Sequence, residues 1–387
     1  MQERSTQEES AQEGSTRKES GTGVVVLGMA SERERAGRVF DTAVIGAGQA
    51  GLSTAYFLRR AGLDFVVLDA NPGPGGAWQH RWPSLRLGKV HGIHDLPGMA
   101  LPHADDSRPA SEVVGAYFGA YEREFDLPVV RPVRVTAVHD DGAVFTVEAE
   151  QGTWRARTLV SATGTWDRPF WPRYPGQETF RGTQLHTADY RGPEQFAGKR
   201  VVVVGGGASG VQALMELAPG AAATTWVTRR PPVWRDGPFT PELGREAVAM
   251  VEDAVREGRP PASVVSVTGL VRTPEVIAAQ ESGVLTRLPV FDRVTRDGVA
   301  WDDGRFVAAD TILWATGFRH SLDHLAPLHL RAPGGGITMD GTQVAGHPRL
   351  HLVGYGPSAS TIGATRAGRA AAAALKRLAA STALPTG

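Results

Sequence analysis

Residues 201–210 read "VVVVGGGASG", and residues 42–51 read "TAVIGAGQAG". Each is an apolar, β-branched run that breaks into G-x-G-x-x-G. A continuous apolar run such as Val201–Val204 suits a parallel strand buried on both faces. The three glycines have separate tasks. The first permits a tight turn, the second lets a pyrophosphate approach the backbone, and the third packs helix on strand. The motif is informative only when a strand precedes it and a helix follows.

Working outward from the first copy, "FDTAVIG" (40–46) has strand composition, and Gly46, Gly48 and Gly51 fall at the dinucleotide spacing with Gln49 in the same turn. "GLSTAYFLRRAG" (51–62) has apolar residues at helical spacing and ends at Gly62, a plausible helix C-cap. "FVVLD" (65–69) is a second strand ending in an acid. Asp69 stands close to the ~20 residues past the glycines where an acid binds the ribose hydroxyl. The second copy repeats this grammar. "RVVVV" (200–204) is the strand, Gly205, Gly207 and Gly210 with Ser209 form the turn, and 209–218 form the helix. The following strand, "ATTWVTRR" (223–230), ends in Arg229 and Arg230 instead of an acid. Arginine there accommodates a 2′-phosphate, for which a planar guanidinium fork is suited. The expectation is FAD on the first unit and NADPH on the second.

The repetition extends further. Residues 133–164, beginning at Val133 and including Val135, and residues 291–317 both read as alternating β-meanders. Their predicted turns are Asp141–Gly142, Asp297–Gly298 and Asp303–Gly304. Both meanders end in Ala-Thr-Gly: Ala162, Thr163 and Gly164, then Ala315, Thr316 and Gly317. The predicted fold class is α/β, with two dinucleotide-binding (Rossmann-like) domains, the second inserted into the first. The expected layout is a disordered extension over 1–38, FAD-binding segments at 39–167 and 313–387, and an NADPH-binding domain at 168–312. The C-terminal segment carries Gly354 and an Ala-rich helix starting near Ser360 and Thr361, whose N-terminus is placed to face an electronegative flavin edge.

The 387 residues suffice for two domains with sizeable cores, and 41 basic residues balance 41 acidic ones. That balance supplies no electrostatic case for nucleic acid or an anionic membrane. No apolar run reaches the ~18 residues of a membrane helix. The run at 23–30 is too short for a signal core and follows a largely acidic segment, so a cytoplasmic enzyme is expected, and Met29 offers a second start. The chain has no cysteine, which removes disulfides and Cys-based metal sites, and no metal cluster is expected.

"FRGTQLHTADY" (180–190) matches F-x-G-x-x-x-H-x-x-x-Y, and on it the chain resembles the flavin-containing monooxygenases. "PGGAWQHRWPSLRL" (74–87), with Gly76 and Trp78, resembles the flavin loop of that family. "ATGTWDRPFWP" (162–172) and "WATGF" (314–318) resemble its linkers. Tyr190, where Baeyer–Villiger relatives carry Trp-Pro or Trp-Asp, favours the branch that oxygenates nitrogen or sulfur. The resemblance implies NADPH reduction of FAD, capture of dioxygen as a flavin 4a-hydroperoxide, and oxygen transfer to a small nucleophile. The cofactor carries that chemistry, so no side-chain nucleophile is required. The expected partners are a small-molecule substrate and O2, in a monomer or a homodimer.

One stretch departs from the family pattern. Residues 84–98 lack the family's flavin-contacting Asn and are closer to the plant YUCCA branch, which also reads Ser-Leu-Arg-Leu. Arg86, Lys89, His91 and His94 become candidate polar groups near the flavin, and His186 a candidate beside the cofactors. Phe180 and Tyr190 are candidate packing anchors. Trp78, Trp82, Trp166 and Trp171 are candidate walls of an apolar pocket, or core residues. Three rivals share the two-nucleotide plan: a disulfide reductase, which lacks its cysteine pair here, an NADPH oxidase or reductase, and a non-catalytic redox sensor. An alternative outcome within the same class is Baeyer–Villiger or decarboxylating oxygenation of a carbonyl compound.

Overall fold

The computed structural model describes residues 37–90, 93–237, 241–261 and 268–383. The expected extension therefore lies outside the described residues apart from its last two, and His91 lies outside them too. The first strand, β1 (Val39–Ile45), leads through Gly46–Gly48 into α1 (Gln49–Ala61), and β2 (Phe65–Leu68) follows. α1 stops at Gly62, whose left-handed φ of 75° lets its N–H donate to the Arg59 carbonyl. Then come α2 (Ala110–Glu124), β3 (Val129–Val130) and an antiparallel meander of β4 (Val135–Asp140), β5 (Phe145–Ala149) and β6 (Gly152–Ser161). β6 is long enough to serve two purposes. Its first half closes the meander against β5, and from Arg155 to Ser161 it runs parallel to β1.

The chain next builds a second sheet. It comprises β7 (Thr183–His186), β8 (Arg200–Val204), the helix α3 (Ala208–Leu217) and β9 (Ala223–Thr228). A short pair, β10 (Trp234–Arg235) and β11 (Leu270–Val271), brackets α4 (Pro241–Arg256), and α5 (Pro274–Glu281) precedes β12 (Arg287–Pro289). A separate antiparallel trio follows, β13 (Arg293–Thr295), β14 (Gly298–Ala300) and β15 (Phe306–Ala308), and β16 (Thr311–Trp314) completes the second sheet. The chain then returns to the first sheet through β17 (Met339–Asp340), β18 (Gln343–Val344) and β19 (His347–Leu352), and ends in α6 (Thr361–Ala383).

The strand orders show the duplication directly. The parallel part of the first sheet runs β19-β6-β1-β2-β3, and the second sheet runs β7-β16-β8-β9-β12. Position for position these are the same five-strand arrangement, so the second unit interrupts the first between β6 and β17. The return falls later than the sequence reading put it, because β16 pairs with β7 and β8 through Trp314, past the expected boundary at 312. The insertion also reaches back. Val255 on α4 is buried in the core of the first sheet, and a Cβ on Gly356 would meet its Cγ1 at 3.0 Å. Of the expected Asp-Gly turns, Asp141–Gly142 and Asp303–Gly304 carry the positive φ such turns need. Gly298 lies instead inside β14. There a Cβ would meet the Val307 carbonyl oxygen at 2.1 Å, so close strand approach selects glycine.

Candidate cofactor and active site

Strand register builds both phosphate cradles. Ile45 at the end of β1 lies opposite Leu68 and Ser161, so the next residues, Gly46 and Ala162, emerge side by side. The Gly46 N–H donates to Leu68 O at 2.7 Å, and the Ala162 N–H donates to Ile45 O at 2.8 Å. A Cβ on Gly46 would lie 2.7 Å from the Ala162 carbonyl oxygen, and one on Gly51 would lie 1.8 Å from the Gly46 carbonyl oxygen. The second unit repeats this geometry. Gly205 bonds to Val227 O at 2.9 Å and Ala315 to Val204 O at 2.8 Å. A Cβ on Gly205 would lie 2.1 Å from the Ala315 carbonyl oxygen. Ala162 and Ala315 thus wall their cradles, and Gly51 and Gly210 hold each helix against its turn.

The middle glycines differ. Nothing lies within 4 Å of a Cβ built on Gly207, and only Gly76 Cα, at 3.9 Å, lies near one on Gly48. Both glycines are helix N-caps without a side-chain cap, and neither helix has an acid in its first turn. The first-turn N–H groups, Gln49 and Ser209 among them, therefore face outward unneutralised, as a pyrophosphate requires. Gly76 of the flavin loop closes over the first cradle, where a Cβ on it would fall 2.7 Å from Gly48 Cα. The residues present fit two dinucleotides on this geometry.

The strand ends distinguish the units. Asp69 follows β2 and is buried, at 3% exposure. Arg131 Nε donates to its Oδ2 at 2.7 Å and Asn71 Nδ2 to its Oδ1 at 3.1 Å. Arg131 also grips both oxygens of Glu122 on α2 at 2.7 Å. His80 extends the chain by bonding Asn71 Oδ1 at 2.8 Å. Sequence reading found Asp69 but missed Arg131, Glu122 and Asn71, because α2 and the turn after β3 carry no local signal of where they converge. Val133, whose N–H donates to Asp69 O at 2.8 Å, is the residue beside this strand end. Val135 instead begins β4 and packs against the core behind the meander, because strand pairing with Ala149 draws it away. In the second unit Arg229 and Arg230 are exposed beyond β9, with no carboxylate partner among the described residues. Arg287 joins them, its Nε donating to Thr228 Oγ1 at 2.6 Å.

The two Ala-Thr-Gly linkers lie side by side and are stitched together. Thr163 Oγ1 donates to Ser321 O at 2.6 Å, Ser321 N–H to Gly164 O at 3.0 Å, and Phe170 N–H to Gly317 O at 2.9 Å. Thr316 Oγ1 donates to Phe170 O. The polar groups of Thr163, Gly164, Thr316 and Gly317 are thus engaged in the hinge between units. His186 belongs to the same hinge. It is fully buried, accepts the Ala188 N–H at Nδ1 and donates from Nε2 to Gly317 O at 3.1 Å. Burial holds its pKa below the ordinary histidine value. A ring with both nitrogens committed to backbone is a positioning element. Gly354 has φ 85° and donates to Ser358 Oγ at 2.9 Å just before α6, and Thr361 is the first residue of that helix.

The loop over 84–98 separates its candidates. Arg86 and Lys89 are exposed, and Arg86 Nη1 donates to Ser107 O at 3.1 Å. Lys89 is exposed near Glu275 of α5, whose pKa is lowered chiefly by its hydrogen bond to Thr273, with a smaller contribution from the Lys89 charge. His94 offers its carbonyl to Gln49 Nε2 at 3.4 Å. The inward contacts come from Ser84 Oγ and Tyr190 OH, which both donate to Glu216 of α3, at 3.2 and 2.7 Å. Phe180 and Tyr190 are buried anchors, and Trp82 packs edge-on against Tyr190. Trp171 is 40% exposed. Trp166 stacks on His80 at 5.7 Å and on Phe318 at 5.1 Å, so one ring column crosses both linkers.

Two dinucleotide cradles, a pair of linkers bonded to each other and a flavin-type loop closing on the first cradle define a two-nucleotide flavoprotein oxidoreductase. The pyridine nucleotide-disulphide oxidoreductase model matches residues 43–243, more than half of the chain. A flavin-containing monooxygenase from Stenotrophomonas maltophilia is 39% identical, with a TM-score of 0.76 over 88% of this chain and 99% of that one. The chain belongs to the pyridine nucleotide-disulphide oxidoreductase family and, within it, to the flavin monooxygenases. Indole-3-pyruvate monooxygenase YUCCA1 of Oryza sativa subsp. japonica is 28% identical over 81% of this chain and 86% of its own. Cyclohexanone monooxygenase shares the fold, with a TM-score of 0.62 at 20% identity. Among the described residues no helix is long and apolar enough to cross a membrane.

Proposed function

We propose that this enzyme uses FAD on the first cradle and NADPH on the second to oxygenate a nucleophilic nitrogen or sulfur atom of a small molecule with O2. The observation that carries the reading is the contrast between two units of the same strand order, an acid at one strand end and exposed arginines at the other. When bound, the flavin supplies electron transfer from the nicotinamide nucleotide to dioxygen. The chain itself binds and orients. Asp69, held by Arg131, accepts a ribose hydroxyl, and Arg229 and Arg230 receive the 2′-phosphate. Ser84, Tyr190 and Glu216 dock the flavin loop on the second unit and help exclude water from the junction. A disulfide relay is not open to the chain, which has no cysteine.

A second reading, oxygenation at a carbonyl carbon, is favoured by the Asn-free loop over 84–98 and the likeness to YUCCA1. O2-dependent NADPH consumption by the FAD-loaded protein, measured with amines, thioethers and 2-oxo acids and followed by product mass, tests both. Substrate plus one oxygen atom supports the first reading, and loss of CO2 or ester formation supports the second. Nucleotide consumption yielding only peroxide with every substrate would leave an oxidase.

A further inference from the structure

Arg81 lies on the loop that closes the first cradle. Its guanidinium carbon sits 4.8 Å from the centre of the Trp166 ring and 5.8 Å from that of Trp78. Desolvation lowers its pKa, with no carboxylate opposing the shift. Two other sheltered arginines are neutralised by carboxylates. Arg131 holds Asp69 and Glu122, and Arg349 holds both oxygens of Asp140. No carboxylate among the described residues lies within ion-pair distance of Arg81. Its neighbour Trp82 is buried at 6% exposure with its indole N–H unpartnered. A shielded, unpaired cation is costly, and proximity to two indole rings offsets only part of that cost.

We propose that Arg81 is the docking group for a carboxylate on the substrate, with Trp78 and Trp166 flanking the substrate's apolar body. The inference rests on the reading above, that the enzyme oxygenates a small molecule at the flavin beside this loop. A dinucleotide phosphate is the other possible anion, but each pyrophosphate already has a helix N-terminus, and the 2′-phosphate has arginines on the second sheet. The guanidinium lies near both rings with no carboxylate among the described residues on its donors, and its planar fork matches a carboxylate.

The test uses the oxidised, FAD-loaded protein without NADPH. Phenylacetate and its neutral isostere phenylacetamide are titrated, with tryptophan fluorescence and the visible flavin spectrum as readouts. Phenylacetate should bind about ten- to a hundredfold more tightly. Arg81→Ala should abolish that preference, Arg81→Lys should retain part of it, and the distant Arg305→Ala should leave it intact. Equal binding of the two probes by the wild type, including binding of neither, overturns the proposal without any variant having to fold. Arg81→Ala that keeps the preference but loses FAD or NADPH affinity assigns the arginine to a nucleotide phosphate instead. The titration needs no turnover. A protein that prefers phenylacetate through Arg81 but never consumes NADPH would keep this inference and sink the oxygenase reading.

Discussion

Arg229 and Arg230 are exposed, so solvent screening moderates what each contributes. A hydrogen bond to a charged group is worth roughly 1.5–3 kcal/mol, or about ten- to a hundredfold in affinity. Replacing either arginine by Ala should raise KM for NADPH towards the lower end of that range and leave NADH nearly unchanged. The ratio of kcat/KM for the two nucleotides is the measurement, and equal losses for both would remove the arginines from the 2′-phosphate. Asp69→Ala should weaken FAD retention and also leave Arg131 facing Glu122 alone. Flavin content after gel filtration reports the outcome, and undiminished content would separate Asp69 from the ribose. Gly51→Ala places a methyl 1.8 Å from the Gly46 carbonyl oxygen. Backbone must shift, and overpacking of that kind costs roughly 1–3 kcal/mol. Loss of FAD together with a lower unfolding midpoint is expected.

The elements around Glu216 join the two units, because α3 presents that carboxylate to Tyr190 and to Ser84 of the flavin loop. Desolvation and Glu216 push the Tyr190 hydroxyl well above the ordinary tyrosine range, which keeps it a donor. Tyr190→Phe removes the 2.7 Å bond without opening a large cavity. It should lower stability by about 1–2 kcal/mol, read from denaturant midpoints. Because the same contact docks the loop, NADPH-driven flavin reduction should slow as well. A Phe variant with wild-type stability and reduction rate would mean that Ser84 suffices. α1 and α6 show a different kind of fit. A Cβ on Gly368 of α6 would fall 2.9 Å from Thr54 N, so the two helix backbones approach closely. That contact is invisible in the Ala-rich sequence of α6, whose partner lies more than three hundred residues earlier in the chain.

Across the whole molecule, three histidines that belong to no cradle set the acid side of stability. Burial pushes His320, His324 and His351 down to about 4, from an ordinary value of 6.5. Above pH 6.5 all three are neutral, folded or unfolded. As pH falls from there towards about 4, the unfolded chain takes up protons that the folded protein does not bind. Stability therefore falls with pH across that window and stops falling on their account below it. Each ring contributes a slope of at most about 1.4 kcal/mol per pH unit. Denaturant midpoints measured through the window should drop steadily. A flat profile would contradict burial of neutral rings.

The sequence by itself determined the two βαβ units and the spacing of their glycines. Those properties are local: strand, turn and helix signals lie within a few residues of each other, and the spacing of the glycines encodes backbone geometry. Asp69 and the Arg229–Arg230 pair were legible for the same reason, since their positions are counted from the glycines. The tertiary structure alone decided that both ring nitrogens of His186 bond backbone, that Arg86 and Lys89 are exposed and that Val133 bonds the backbone of Asp69. It also brought Glu122 onto Arg131, Glu216 onto Tyr190 and Trp166 onto Arg81. A side chain's partner depends on which elements pack together, and packing is set by burial across the whole chain rather than by any one stretch of it.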